Sequence, residues 1–163
     1  LPLCHTQTLT EYEEMLKTPV KRDIEFSFIG NIRSIHVERK KWIKRFLETY
    51  PQFFARQSDY ENTLKYLRRS KVTFNCSLNN DLNFRVFEGL ACGAIVLTDE
   101  VTDLYNIYGL RESVTTYDKL IPNWNNVDIP DLKGEEFIKS RHTLTHRMNQ
   151  LLDMVETGEQ YAF

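Results

Sequence analysis

The chain has 163 residues, 41% of them hydrophobic and 12% aromatic, enough for one folded unit with a real core but tight for two. A formal net charge of −2 with interspersed signs supplies no long-range attraction for nucleic acid or an anionic membrane. No stretch approaches the roughly 20 apolar residues needed to cross a bilayer. Cys4, Cys76 and Cys92 are odd in number and unrelated in spacing, a pattern that points to free thiols in a reducing, cytoplasmic compartment.

Residues 1–22 read as an entry segment, in which Thr10-x-x-Glu13 is a capping box for a helix over 11–17 that ends at Pro19. The start at Leu1 leads to the expectation of a piece of a longer protein. Residues 23–29 are a strand of aromatic and β-branched residues, followed at once by the turn pair Gly30-Asn31. Trp42, Ile43, Phe46, Leu47 and Tyr50 share one face of a helix predicted from about residue 35 to just before Pro51. A short, irregular second strand is expected over 52–56. Ser58-x-x-Glu61 is a second capping box, and Tyr60, Leu64 and Leu67 form the apolar stripe of the helix it opens, which runs to about Arg69.

The most informative stretch is 71–99. Residues 71–77 read as a strand, 78–83 as a loop of Asn and Asp, and 84–92 as a helix with Phe84, Phe87, Leu90 and Ala91 at helical spacing. Gly93 supplies the left-handed stop, and 94–97 is an apolar run suited to a strand covered on both faces. A helix at 103–108 and a strand at 113–117 add one more unit. Pro122, Asn123, Asn125, Asn126 and Pro130 make 118–133 a long loop. Residues 134–163 hold the C-terminal helices, the last carrying Leu144, Met148, Leu151, Leu152 and Val155 on a face expected to pack back on the domain.

Strands alternating with helices define a doubly wound α/β fold with a mainly parallel, Rossmann-like sheet. Such folds bind ligands beyond the carboxyl ends of the strands. Three loops fall there: Gly30-Asn31 with Arg33, the stretch 79–85 with Asn80, Asp81, Asn83 and Arg85, and Thr98-Asp99-Glu100. The plain alternatives are a strand-to-helix turn for the first and a helix cap for the third. Arg85 and Glu88 stand three apart on one helical face. They can pair with each other, contributing about 0.3–0.5 kcal/mol if exposed, or they can divide a ligand, with Glu88 on ribose hydroxyls and Arg85 on a diphosphate. His142 and His146 are four apart, a metal-ligand spacing, but no third ligand stands at a matching distance, so helix packing or contact with a further domain is the expected role.

The string Asn83-x-Arg85-Val86-Phe87-Glu88-x-Leu90-Ala91-Cys92-Gly93-Ala94 with Leu97-Thr98-Asp99 resembles the signature of the CgeB-like, spore-maturation branch of the group 1 glycosyltransferases. Phe28-Ile29-Gly30-Asn31 with a following Arg39, and the closing His142-Thr143-x-x-His146-Arg147, are similar to that family in the same order. The resemblance implies one half of a GT-B architecture, the C-terminal, nucleotide-sugar-binding domain spanning 1–163, whose partner is an acceptor-binding N-terminal domain. It implies that Glu88 holds the donor ribose, that the helix it sits on faces the diphosphate, and that Gly30 lies near the donor phosphate. It implies transfer with no metal and no cofactor besides the donor, and an isolated domain that is inactive alone. Many retaining relatives carry a further glutamate where this chain has Asn80, beside Asp81, which leaves the sugar and stereochemistry open. A GT-B epimerase half or a non-catalytic nucleotide-binding module would use the same half-site.

Overall fold

The structure, a computed structural model, describes residues 4–32, 36–117 and 133–158. The elements in chain order are α1 (Leu9–Lys17), β1 (Ile24–Ile29), α2 (Val37–Thr49), β2 (Phe54–Arg56), α3 (Tyr60–Arg69), β3 (Ser70–Phe74), α4 (Phe84–Ala91), β4 (Ile95–Asp99), α5 (Asp103–Asn106), α6 (Leu110–Ser113), β5 (Thr115–Tyr117), α7 (Gly134–Arg141) and α8 (Leu144–Thr157). The five strands form one all-parallel sheet in the order β2-β1-β3-β4-β5. The expected α/β, Rossmann-like fold is therefore present. The chain steps from β1 to β2 on one side and then returns past β1 to lay down β3. This reversal makes the β1/β3 edge the switch point of the sheet, where a crevice opens beyond the strand ends.

Strand periodicity sends alternate residues to opposite faces. Phe26, Phe28, Val72, Phe74 and Leu97 meet Ile43 and Phe46 of α2 on one face. The Phe46 ring stands edge-on to Phe26 at 4.9 Å and to Phe74 at 4.8 Å. Val96 on the other face packs with Val86, Phe87 and Leu90 of α4, Leu104, Leu110 and Phe137. Burying one such side chain stabilises by about 1.5–3 kcal/mol. That exceeds several-fold an exposed pair such as Lys41–Glu38, so the layering is set by the apolar pattern.

Several expectations are corrected. The box of α1 is Thr8–Glu11 rather than Thr10–Glu13: Glu11 N donates to Thr8 Oγ1 at 3.3 Å, and Thr8 N to Glu11 Oε2 at 2.9 Å. Both pairs have the right spacing, and the earlier one starts the helix a turn before Tyr12, its buried anchor. Asp59, not Ser58, caps α3 by accepting from Asn62 N at 2.8 Å, while Ser58 bonds Thr63. Tyr60 and Phe84 are exposed although their spacing matches the core positions. A second short helix, α6, was not foreseen and shortens the last strand to Thr115–Tyr117. The long loop assigned to 118–133 lies, apart from Lys133, outside the described residues.

The largest correction concerns α8. Leu144, Met148, Leu151, Leu152 and Val155 are all exposed, up to 75% for Val155. The helix is held instead by Arg147, whose Nη1 donates to Arg141 O at 3.1 Å and whose Nη2 lies 2.6 Å from His142 Nδ1. The turn before α8 is tied to the entry segment: His5 N donates to His142 O at 2.7 Å and Leu144 N to Gln7 O at 2.9 Å. His142 stacks on Phe137 at 4.1 Å, and His146 Nδ1 lies 2.7 Å from Thr143 Oγ1, so both histidines serve this corner. Among the described residues, no helix is long and apolar enough to cross a membrane.

Two predictions follow from this packing. Gly89 lets α4 lie directly on the sheet, since a Cβ there would stand 2.7 Å from Val96 Cγ2 and 2.9 Å from Thr73 Cγ2. Gly89→Ala should destabilise by about 1–3 kcal/mol despite the better helix propensity of Ala, read as a lower midpoint in denaturant. Burial, aided by the neighbouring Arg147 charge, lowers the His142 pKa to about 3. The unfolded chain then binds a proton below about pH 6.5 that the folded chain refuses. Stability should fall as pH drops from about 6.5 toward 3, and His142→Gln should flatten that part of the stability–pH curve in parallel denaturant titrations.

Candidate functional site

At the switch point, the carboxyl ends of β1 and β3 and the start of α4 enclose a cleft of about 360 Å³. The turn after β1 is pinned by Gly30 N donating to Arg56 O at 2.9 Å. A Cβ on Gly30 would lie 3.1 Å from the Phe28 ring, a tight approach, and 3.5 Å from Arg85 Nη2, so the guanidinium sits in ordinary contact distance of this turn. Arg39, in the first turn of α2, bridges the two sides: Nη1 donates to Asn31 O at 3.1 Å and Nη2 to Cys76 O at 2.7 Å, and its guanidinium lies 5.6 Å from the centre of the Phe28 ring.

The loop between β3 and α4 is fastened from the neighbouring strand. Asn75 N donates to Leu97 O, and its side-chain amide to Thr98 Oγ1 at 2.9 Å. Asp99 accepts from Ser77 N at 2.9 Å and from the Ser77 hydroxyl, and Asp103 accepts from Leu82 N at 3.3 Å. Asn80, at φ 58°, turns the loop through the left-handed region, which asparagine tolerates better than most residues. Asn83 then caps α4, its Oδ1 accepting from Arg85 N at 3.0 Å.

Arg85 and Glu88 meet at the cleft with Nε and Oε2 3.2 Å apart, their side chains only 23% and 10% exposed. The contact is one of charge, not an aligned hydrogen bond. Arg85 Nε and Nη1 and Glu88 Oε2 are all buried without a hydrogen-bond partner among the described residues. Burial raises the Glu88 pKa, opposed by the Arg85 charge, and burial lowers that of Arg85. A pair held this way retains substantial electrostatic tension, because each ion has given up water and gained one misaligned partner.

The structure brings Gly30, Asn31, Asp81, Asn83, Arg85 and Glu88 around this one cleft. Asn80 lies on the far side of the loop, lining a neighbouring cavity of about 750 Å³ with Trp42, Asp99, Glu100 and Tyr117. Thr98 lines neither space: it is buried, and its hydroxyl serves Asn75 and Asp99, so its place is in the scaffold rather than at a ligand. Arg33 lies outside the described residues. Sequence reasoning did not place Arg39 or Asn75 at the cleft. Position in the first helical turn after the Gly30 loop was the available signal for Arg39; nothing in the sequence marks Asn75, which reaches the cleft only because β3 ends there.

The glycosyl transferase-like family model matches residues 10–123, more than half of the chain and every element around the cleft. The chain belongs to that family. No curated protein and no solved structure matches it. Membership supports a role in glycosyl transfer, and the matched region ends before α7 and α8, so the family pattern coincides with the sheet and its cleft rather than with the C-terminal helices.

The bridge made by Arg39 gives a prediction specific to this glycosyltransferase-like cleft. Arg39→Ala leaves two main-chain carbonyls without their donor and unties the turn at Asn31 from Cys76. It should lower stability by about 1.5–3 kcal/mol, the scale of charge-assisted hydrogen bonds. Amide exchange should quicken at residues 30–32 and 75–78, and unchanged exchange there would show that the bridge is dispensable.

Proposed function

We propose that this chain is the donor-binding half of a GT-B glycosyltransferase of the CgeB-like branch, holding a nucleotide-sugar whose sugar passes to an acceptor on a facing domain. The observation that carries this reading is the unmet chemistry of the cleft: buried N–H donors on Arg85 beside a buried acceptor on Glu88. A buried polar group left unpaired costs about 1–3 kcal/mol. A ligand that offers hydroxyls to Glu88 and an anion to Arg85 relieves both, and a nucleoside diphosphate joins those two groups at a ribose's distance.

In the proposed reaction the bond between the anomeric carbon and the diphosphate oxygen breaks, the electron pair leaving with the diphosphate, while an acceptor hydroxyl or amine forms the new bond to carbon and gives its proton to the departing diphosphate or to water. Negative charge grows on the leaving group. Arg85 supplies a full positive charge in a two-pronged fork, and the start of α4 adds a partial charge of roughly +0.5. This pair of charges is the basis for proposing metal-independent transfer. Gly30 and Asn31 would border the phosphates, with Asp81 toward the sugar; Asn80 lines the neighbouring cavity instead. A cytoplasmic setting accords with three free, buried thiols.

The test is a calorimetric or NMR screen of nucleosides, nucleoside diphosphates and nucleotide-sugars against the purified chain. Arg85→Ala should weaken the diphosphates by about 1.5–3 kcal/mol with a much smaller change for the nucleosides, and Arg85→Lys should recover part of the loss. Equal losses for both ligand types would mark Arg85 as structural. No binding by any nucleotide would sink the reading.

A further inference from the structure

The Arg85–Glu88 contact bears on which anions the cleft accepts. Among the described residues two guanidiniums stand at the cleft, but the Nη groups of Arg39 are occupied by the carbonyls of Asn31 and Cys76, which leaves only its buried Nε without a partner. Arg85 has no such main-chain anchor for its Nε and Nη1, and its nearest charge is Glu88 at 3.2 Å. A phosphate approaching the unliganded cleft meets not a free cation but one already neutralised by a carboxylate that also repels the newcomer.

We propose that Glu88 is a specificity residue that excludes free anions: it occupies Arg85 in the unliganded cleft, so that only a ligand carrying hydroxyls together with phosphate opens the pair. The inference rests on the nucleotide reading above and deepens it. Hydroxyls donating to Glu88 draw its oxygens away from Arg85 and disperse their charge. The released fork then meets the phosphate of the same ligand. Inorganic phosphate and pyrophosphate lack hydroxyls held at a ribose's distance from the anionic group, so they cannot engage Glu88 and Arg85 at once and leave the pair closed. Nucleoside and anion binding are then positively coupled, and such coupling is reciprocal. Burial of both side chains strengthens the effect, because a charge contact shielded from water weighs more than one on the surface.

The probe is inorganic pyrophosphate, titrated calorimetrically at one pH into the parent chain and into Glu88→Gln, which keeps side-chain length and removes the charge. The variant should bind pyrophosphate on the order of tenfold more tightly, the scale expected when a close like charge is removed from a partly buried site. Its affinity for nucleosides should fall. Unchanged or weaker pyrophosphate binding by the folded variant overturns the proposal, since it would mean that Glu88 only positions Arg85. Removing one ion of a buried pair can unfold a protein, so a second measurement uses the parent alone: pyrophosphate affinity with and without a saturating nucleoside. A several-fold gain supports the proposal, and independence or competition refutes it. Tighter pyrophosphate binding by Glu88→Gln, with no nucleoside or nucleotide bound by either protein, would keep the anion guard and discard the nucleotide reading. Nucleotide binding without the pyrophosphate gain would do the reverse.

Discussion

The close seat of α4 on the sheet is the constraint from which the cleft derives. Because Gly89 has no side chain, α4 rests against Thr73 and Val96. Arg85, one turn earlier, reaches the turn at Gly30. Glu88 is brought to the same place by the three-residue spacing. Gly134 continues the theme from outside, since a Cβ there would stand 2.8 Å from Leu90 Cδ2, and α7 presses on the back of α4. Two close contacts, sheet to α4 and α4 to α7, fix the helix that carries the two charged side chains, which are only 23% and 10% exposed.

This close packing explains why a local ion pair became a buried one. On an exposed helix, an Arg and a Glu three residues apart would be hydrated and nearly neutral in energy. Here both are desolvated, the contact is misaligned, and donors and an acceptor are left over. Structural pairs are usually completed by further hydrogen bonds, as Asp23 and Arg69 complete theirs with two at 2.8 Å. The two pairs differ in this way: one is closed by aligned hydrogen bonds, the other only by charge. Arg39 acts chiefly as a brace, since its hydrogen bonds to Asn31 and Cys76 tie together the two loops that form the walls.

The C-terminal corner is built on different principles. Its interior holds His5, His142, Thr143 and Arg147 rather than a patch of leucines. Main-chain groups there are tied to the entry segment, while His5 Nδ1 and His142 Nε2 stay buried without a partner among the described residues, and the apolar residues of α8 are exposed. A helical stripe at spacings of three and four residues thus established amphipathicity without saying which face would be covered. The periodic signal is symmetric in that respect: it separates two faces and leaves to the remaining chain the choice of which one it meets.

The sequence by itself determined the alternation of strands and helices, the parallel sheet, the loop-to-helix junction at Asn83 and the helix stop at Gly93, where φ is +66°. These are local matters of period, capping and backbone permission, decided by residues a few positions apart. It also singled out Arg85 and Glu88, since three-residue spacing is a local relation. Only the tertiary structure decided that the two are buried, that the Gly30 turn borders one of them, and that Arg39 and Asn75 join them from α2 and the end of β3. It likewise decided that Thr98 turns inward to Asn75 while Asn80 faces a different cavity, and that Asp59 and Thr8 win the caps. The physical reason is that desolvation and long-range contact depend on which elements pack together, and a pattern within one element carries no record of what lies against it.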